Sequence, residues 1–180
     1  LSDKWFWLLW SGLAIQRLLE LSLSGRNRRW MESRGGWEAG REHYPLIVGV
    51  HLLFFAGMLV EVWIGGARPP DGWPIPFLLF LTSQALRLWC IRSLGPCWNT
   101  RIMVMPGHPL VKSGPYRYLR HPNYLAVAGE LLFFPMMFGA FWTMILVSML
   151  NAALLVFVRI PAEERALRTA TGKGRAEPGR

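Results

Sequence analysis

Between Tyr124 and Val158 the chain runs for 35 residues with a single charge, Glu130. As one helix that stretch would be roughly 52 Å long, against about 30 Å for the hydrocarbon core of a bilayer. The block therefore has to fold back. Phe138-Gly139-Ala140 lies near its middle and suits a tight turn, which predicts helices over Asn123–Phe138 and Phe141–Val158. Three further apolar blocks have spanning length: Trp5–Leu23, Leu46–Ile64 and Ile75–Ile91. With 52% hydrophobic and 17% charged residues, positions 1–180 read as one all-α integral membrane domain of five spans with a tail over 159–180. No secretory signal with a small-residue cleavage site is visible ahead of the first block. The chain opens on Leu1 rather than Met, and a few preceding residues are expected.

The basic residues choose an orientation. Arg26, Arg28, Arg29, Arg34 and Arg41 fall in 24–43, and Arg92, Arg101, Lys112, Arg117 and Arg120 fall in 92–121. Six more lie from Arg159 onward, while only Lys4 and Arg68 fall on the other side. Five spans place all three basic segments on one face, which the positive-inside rule makes cytoplasmic, together with the C-terminus. The net charge of +9 is then topology plus attraction to anionic membrane lipids, and no nucleic-acid partner is expected. The opposite face keeps two short connections, 66–74 and 138–140. Material for a site is therefore expected on the basic face.

Three polar features lie there. "SGPYRYLRHPNYLAVAGE", 113–130, concentrates Tyr116, Arg120, His121 and Tyr124 at the start of the fourth span, with Pro122 suited to its first turn. "RIPAEERAL", 159–167, places Arg159 and Glu163 four apart and carries the paired carboxylates Glu163 and Glu164, with Pro161 expected to kink the helix between them. "LGPCWNTRI", 94–102, offers Trp98 and Asn99. Each has a plain alternative: a membrane anchor, a solvated amphipathic helix and an interfacial turn. Together they suit a cationic, nucleoside-bearing cofactor. Carboxylates would take ribose hydroxyls and an amino group, an Arg would take a carboxylate, and aromatic faces would take adenine and sulfonium. S-adenosylmethionine meets that description, although the residues alone do not select it. The chain lacks a GxGxxG loop on a strand, which excludes a Rossmann methyltransferase.

"GPYRYLRHPNYL", the apolar hairpin and the following R-x-x-x-E-E-x-x-L resemble the isoprenylcysteine carboxyl methyltransferase family over about 75–170. The segments 24–55 and 89–104 are similar to a bacterial branch whose members are often encoded beside type III polyketide synthases and O-methylate alkylpyrones or alkylresorcinols. The resemblance implies a five-helix core in the bacterial inner membrane, with S-adenosylmethionine at its cytoplasmic end and a lipophilic acceptor reaching it from the bilayer. Arg120, His121 and Tyr124 fall on the family's RHPxY, and Arg159 and Glu163 on its catalytic Arg-x-x-x-Glu, with Glu164 the second acid. The expected catalytic residues are Arg120, Arg159 and Glu163. Trp98, Asn99, Tyr116, His121, Tyr124, Glu163 and Glu164 are expected around the cofactor. Pro161 and the aromatic-poor tail depart from the family pattern.

Methyl transfer needs alignment and exclusion of water more than a strong base. Arg120 or Arg159 is expected on an anionic oxygen, and His121 as a backbone-bonded imidazole at the helix start rather than a base. Glu130 is expected along a substrate tunnel, or else paired with Arg87 or Gln84. Glu61 is expected to reach water and His51 to bond across helices. Arg17 and Glu20 read as an ordinary i,i+3 pair. The four His and two Cys show no metal-ligand or disulfide spacing. An O-methyltransferase of an alkylpyrone-like polyketide, or a carboxyl methyltransferase of a prenylcysteine-type substrate, is the favoured function. An NADPH-dependent membrane reductase and a non-catalytic membrane subunit are the alternatives.

Overall fold

A computed structural model describes residues 3–107, 109 and 111–170 of the chain. Helix α1 spans Asp3–Glu32 and strand β1 spans Trp37–Ala39. Helix α2 (Tyr44–Met58) continues as a π-helix over Leu59–Ile64, and α3 covers Pro74–Leu94. Strand β2 is Ile102–Val104. Helix α4 (Pro122–Met137) turns into α5 (Phe141–Leu154), which passes through a π-helix, Leu155–Arg159, into α6 (Ile160–Ala170). Three helical stretches are long and apolar enough to cross a bilayer: Arg41–Ile64, Pro74–Cys97 and Phe141–Ala170.

The expected fold-back at 138–140 is present. Gly139 has φ 72°, and a Cβ there would meet the Arg68 carbonyl oxygen at 2.2 Å. A residue without a side chain is therefore required, and the 66–74 connection packs on the hairpin. Glu61 is half-buried and does more than reach water. Its carboxylate accepts from the backbone N–H groups of Trp142 (3.0 Å) and Thr143 (2.7 Å), capping the otherwise unsatisfied start of α5. Pro135 inside α4 cannot donate to the Leu131 carbonyl, and Ser148 Oγ of α5 donates to that oxygen at 3.5 Å.

Two expectations about the basic end need correction. The all-α class gains a two-stranded antiparallel ribbon, pairing Trp37 with Val104 and Ala39 with Ile102. Three-residue strands are marginal alone. Here Ile102 and Val104 alternate inward and pack on Ala162 and Ala166 of α6. The segment 24–43 is not all loop, because α1 stays helical to Glu32. At 1.5 Å per residue α1 is roughly 45 Å long and outruns a bilayer core by about 15 Å. The expected tail is helical to Ala170, and its remainder, 171–180, lies outside the described residues.

Helix α4 lies between α3 and α5. Its Phe134 meets Phe80 at 5.2 Å, Phe138 at 5.4 Å and Phe54 at 5.8 Å between ring centroids. Gly129 lets α4 approach α3 closely, since a Cβ would sit 2.2 Å from Ser83 Oγ. The polarity of α1 is inside out. Trp5, Leu8, Ile15, Leu18 and Leu19 are exposed, while Phe6, Leu13, Arg17, Glu20, Ser24, Asn27 and Met31 are buried. Those buried positions recur at helical spacing and form one stripe.

The charged part of the stripe meets α3 and α4. Arg87 Nε donates to Glu20 Oε1 at 2.8 Å, and Arg17 Nη1 donates to Glu20 Oε2 at 2.6 Å. Arg17 Nη2 and Gln84 Nε2 both donate to Glu130 Oε2, at 2.7 and 2.9 Å. Two guanidinium and two carboxylate groups therefore compensate one another in the interior. Leaving one of them alone is costly, since breaking a buried pair typically costs about 3–5 kcal/mol. Glu20→Ala is expected to lower the unfolding midpoint in detergent by far more than Glu61→Ala, which removes one helix cap worth about 1 kcal/mol. Circular dichroism melts of the two variants check this, and equal losses would contradict it.

Candidate functional site

At the basic end a cavity of about 670 Å³ opens between the 94–105 segment, the start of α4 and the α5–α6 helix. Trp98, Asn99, Tyr116, Arg120, His121, Tyr124, Arg159, Glu163 and Glu164 all line it. Residues far apart in sequence converge because three helix ends meet there. Pro122 starts α4, so Tyr124 stands in its first turn. The π-helix over Leu155–Arg159 delivers Arg159 two residues before Pro161, which has no N–H to donate. The helix runs on into α6, and Arg159 and Glu163 both reach Tyr124.

Tyr124 is the hinge of the polar cluster. Its hydroxyl donates to Glu163 Oε2 and accepts from Arg159 Nε at 3.1 Å. Arg159 is buried, and its Nη2 donates to the Thr100 carbonyl at 2.5 Å. His121 stacks on Tyr124 with centroids 5.5 Å apart. Its Nδ1 lies 3.7 Å from Glu163 Oε2 and its Nε2 lies 3.7 Å from Glu164 Oε1. Nε2 is buried without a hydrogen-bond partner. The expected backbone bond to this ring is not what the structure shows; carboxylates bracket the imidazole instead.

The other expected residues divide. Arg120 is a rim residue, its side chain 88% exposed and 3.8 Å from Glu164. Trp98 is fully buried and its Nε1 donates to Asn123 Oδ1 at 3.5 Å. Tyr116 lies beside the Cys90 thiol, and burial, reinforced by that thiol, raises its phenol well above the usual range. It stays a neutral donor at physiological pH. Asn99 borders the cavity, but its amide is occupied by the chain: Oδ1 accepts from Ser24 Oγ at 2.7 Å and Nδ2 donates to the Ser24 carbonyl at 3.1 Å. Glu130 does not line this cavity; it belongs to the interior ion cluster. His51 bonds its own helix, Nδ1 to the Ile47 carbonyl at 2.9 Å, rather than a neighbour.

Sequence reading missed an apolar wall and a support. Met31, Met103 and Met105 line the cavity, and methionine adapts its shape to irregular apolar ligands. Arg101 Nη1 donates to Glu38 at 2.6 Å and its guanidinium lies 3.8 Å over the Tyr44 ring, fixing the ribbon to the start of α2. The alternation of Ile102 and Val104 was the only signal of the ribbon. Among the described residues no cluster of His, Cys, Asp or Glu suits a metal. The cavity thus has a charged side and an apolar side, with one buried cation and two carboxylates converging. Tyr124→Phe removes the hydroxyl shared by Arg159 and Glu163, and is expected to cost about 1–3 kcal/mol in a thermal melt without loss of helix content. A neutral result would show the cluster to be unimportant for stability.

A sequence model of the isoprenylcysteine carboxyl methyltransferase (ICMT) family matches residues 76–169. The uncharacterized protein YpbQ of Bacillus subtilis (strain 168) is 42% identical over 162 residues, covering 90% of this chain and 96% of that protein. An uncharacterized protein of Haemophilus influenzae (strain ATCC 51907 / DSM 11121 / KW20 / Rd) is 26% identical over 152 residues, covering 84% of this chain and 88% of its own length. No solved structure matches. The match spans β2, the start of α4, the hairpin and the Arg159–Glu164 turn that together build the cavity, and the chain belongs to the isoprenylcysteine carboxyl methyltransferase family.

Proposed function

We propose that this protein is an S-adenosylmethionine-dependent methyltransferase of a lipophilic acceptor, embedded in a bacterial inner membrane with its cavity on the cytoplasmic side. The observation that carries the reading is the Arg159–Tyr124–Glu163 cluster, with Glu164 beside it, on a cavity of about 670 Å³. That volume lies within the roughly 300–1,000 Å³ of small-molecule sites.

The residues fit the cofactor's groups. Glu163 and Glu164 suit ribose hydroxyls and a cationic amino group. Arg120 at the rim suits a carboxylate. The stacked Tyr124 and His121 rings suit a sulfonium or adenine face. When bound, S-adenosylmethionine supplies an electrophilic methyl group. The chain's task is then to orient the acceptor oxygen and exclude water. The favoured acceptor is an alkylpyrone-like polyketide, whose acidic enol is ionised near neutral pH and needs a cation rather than a strong base. Arg159 is that cation, and Met31, Met103 and Met105 receive the alkyl chain. A prenylcysteine-type carboxylate is the second candidate on the same grounds. A type III polyketide synthase is the matching source of the first.

The reading includes five bilayer crossings, two more than the three helical stretches long and apolar enough by themselves. α1 and α4 cross with the three longer apolar stretches, because the outward surface of α1 is apolar and α4 lies at the bundle centre. Both short connections then lie outside and the basic ends inside. Calorimetry with S-adenosylhomocysteine on detergent-purified protein tests the proposal. Micromolar binding is expected, weakened at least about 10-fold by Glu163→Ala, in line with a lost hydrogen bond to a charged group. A folded wild type that binds none would overturn it, and NADPH binding in its place would establish a reductase.

A further inference from the structure

The family match begins at residue 76, and α1 lies wholly outside it. Yet the last turns of α1 hold the cavity's 95–100 segment in place. Ser24 and Asn27 are buried and lie three residues apart on one helix face. Asn27 Nδ2 donates to the Trp98 carbonyl at 2.7 Å and to the Gly95 carbonyl at 3.2 Å. Ser24 Oγ accepts from the Thr100 N–H at 3.1 Å, lies 2.8 Å from Thr100 Oγ1, and donates to Asn99 Oδ1.

Thr100 faces two ways. Its N–H and hydroxyl are held by α1, while its carbonyl accepts from Arg159. Arg159 is 5% exposed, so its buried N–H groups need such oxygen partners in place of water. Its other hydrogen-bond partner in the cluster is the Tyr124 hydroxyl, already engaged by Glu163. A relay of hydrogen bonds therefore runs from Ser24 through Thr100 to Arg159, Tyr124 and Glu163. Movement of the Thr100 carbonyl would move the cation.

We propose that Ser24 and Asn27 are positioning residues for methyl transfer, setting the direction of the Arg159 guanidinium through the Thr100 carbonyl. The inference rests on the methyltransferase reading for its kinetic consequence and on geometry alone for the coupling. Misplacement by about an ångström can cost up to about 100-fold in rate. With labelled S-adenosylmethionine and a long-chain alkylpyrone, Ser24→Ala is expected to lower kcat about 10-fold while KM for the cofactor stays within about twofold. Ser24→Thr keeps the hydroxyl and is expected to restore the rate.

A double-mutant cycle separates positioning from general weakening. Ser24→Ala combined with Arg159→Ala is expected to be no slower than Arg159→Ala alone. Hydrogen exchange of the ligand-free protein gives a readout without activity. Ser24→Ala is expected to speed exchange in both 95–104 and 159–164, and Ser24→Thr in neither. Ser24→Cys, with a weaker donor, provides a milder lesion should Ser24→Ala not fold. Multiplicative rate losses, an unchanged kcat in Ser24→Ala, or faster exchange confined to 95–104 would overturn the proposal. A wild type that transfers no methyl group would sink the methyltransferase reading, and the exchange pattern would still decide whether α1 controls Arg159.

Discussion

A bilayer interior offers no water to a charged side chain, so ions inside the bundle must satisfy one another. Arg17, Glu20, Arg87 and Glu130 do so across α1, α3 and α4. The cluster fixes the rotation of α1, because only one face presents Arg17 and Glu20 inward. Once that rotation is fixed, Ser24 and Asn27 one and two turns further along face the 95–100 segment, and Met31 reaches the cavity wall. One stripe on one helix thus changes from apolar packing, to ion pairing, to loop support, to cavity lining along its length.

The cavity shows how backbone irregularities serve chemistry. A regular helix through Pro161 would lack a hydrogen bond and strain against the preceding turn. The π-helix ahead of it absorbs the defect and leaves Arg159 and Glu163 on the same phenol. The short ribbon has the same economy: β2 is too small to stand alone, but it carries α6 on one side and is tied to α2 through Arg101, Glu38 and Tyr44. Charged and apolar walls then meet at the end of the bundle. A water-soluble cofactor and a membrane-soluble acceptor would have to meet at such a place.

Much of this was legible in the sequence where a physical limit was strict. The 35 largely apolar residues from Tyr124 to Val158 could not run straight, and the turn falls at Phe138-Gly139-Ala140. The RHPNY and EE segments announced a cluster, and the structure gathers their side chains around one cavity. What escaped had weaker or competing signals. Arg17 and Glu20 looked like a local pair, because the partners Arg87 and Glu130 are distant in sequence. Read at helical spacing with Ser24 and Asn27, they form the stripe. Glu61 looked free at a helix end, but its role depends on where the α4–α5 hairpin brings Trp142 and Thr143. Strands of three residues are too short for periodicity to reveal them. Asn99 has the composition of a binding residue, and only tertiary structure shows its amide occupied by Ser24.

The central claim is that this cavity moves a methyl group onto a membrane-soluble oxygen with Arg159 as the orienting cation. The most direct measurement is transfer of radiolabelled methyl from S-adenosylmethionine to an organic-extractable product, using membranes that carry the protein and a supplied long-chain alkylpyrone. The account predicts labelled product with the wild-type protein and a fall to a small residual amount with Arg159→Ala at equal protein level. Equal labelling by wild type, Arg159→Ala and membranes without the protein would contradict it.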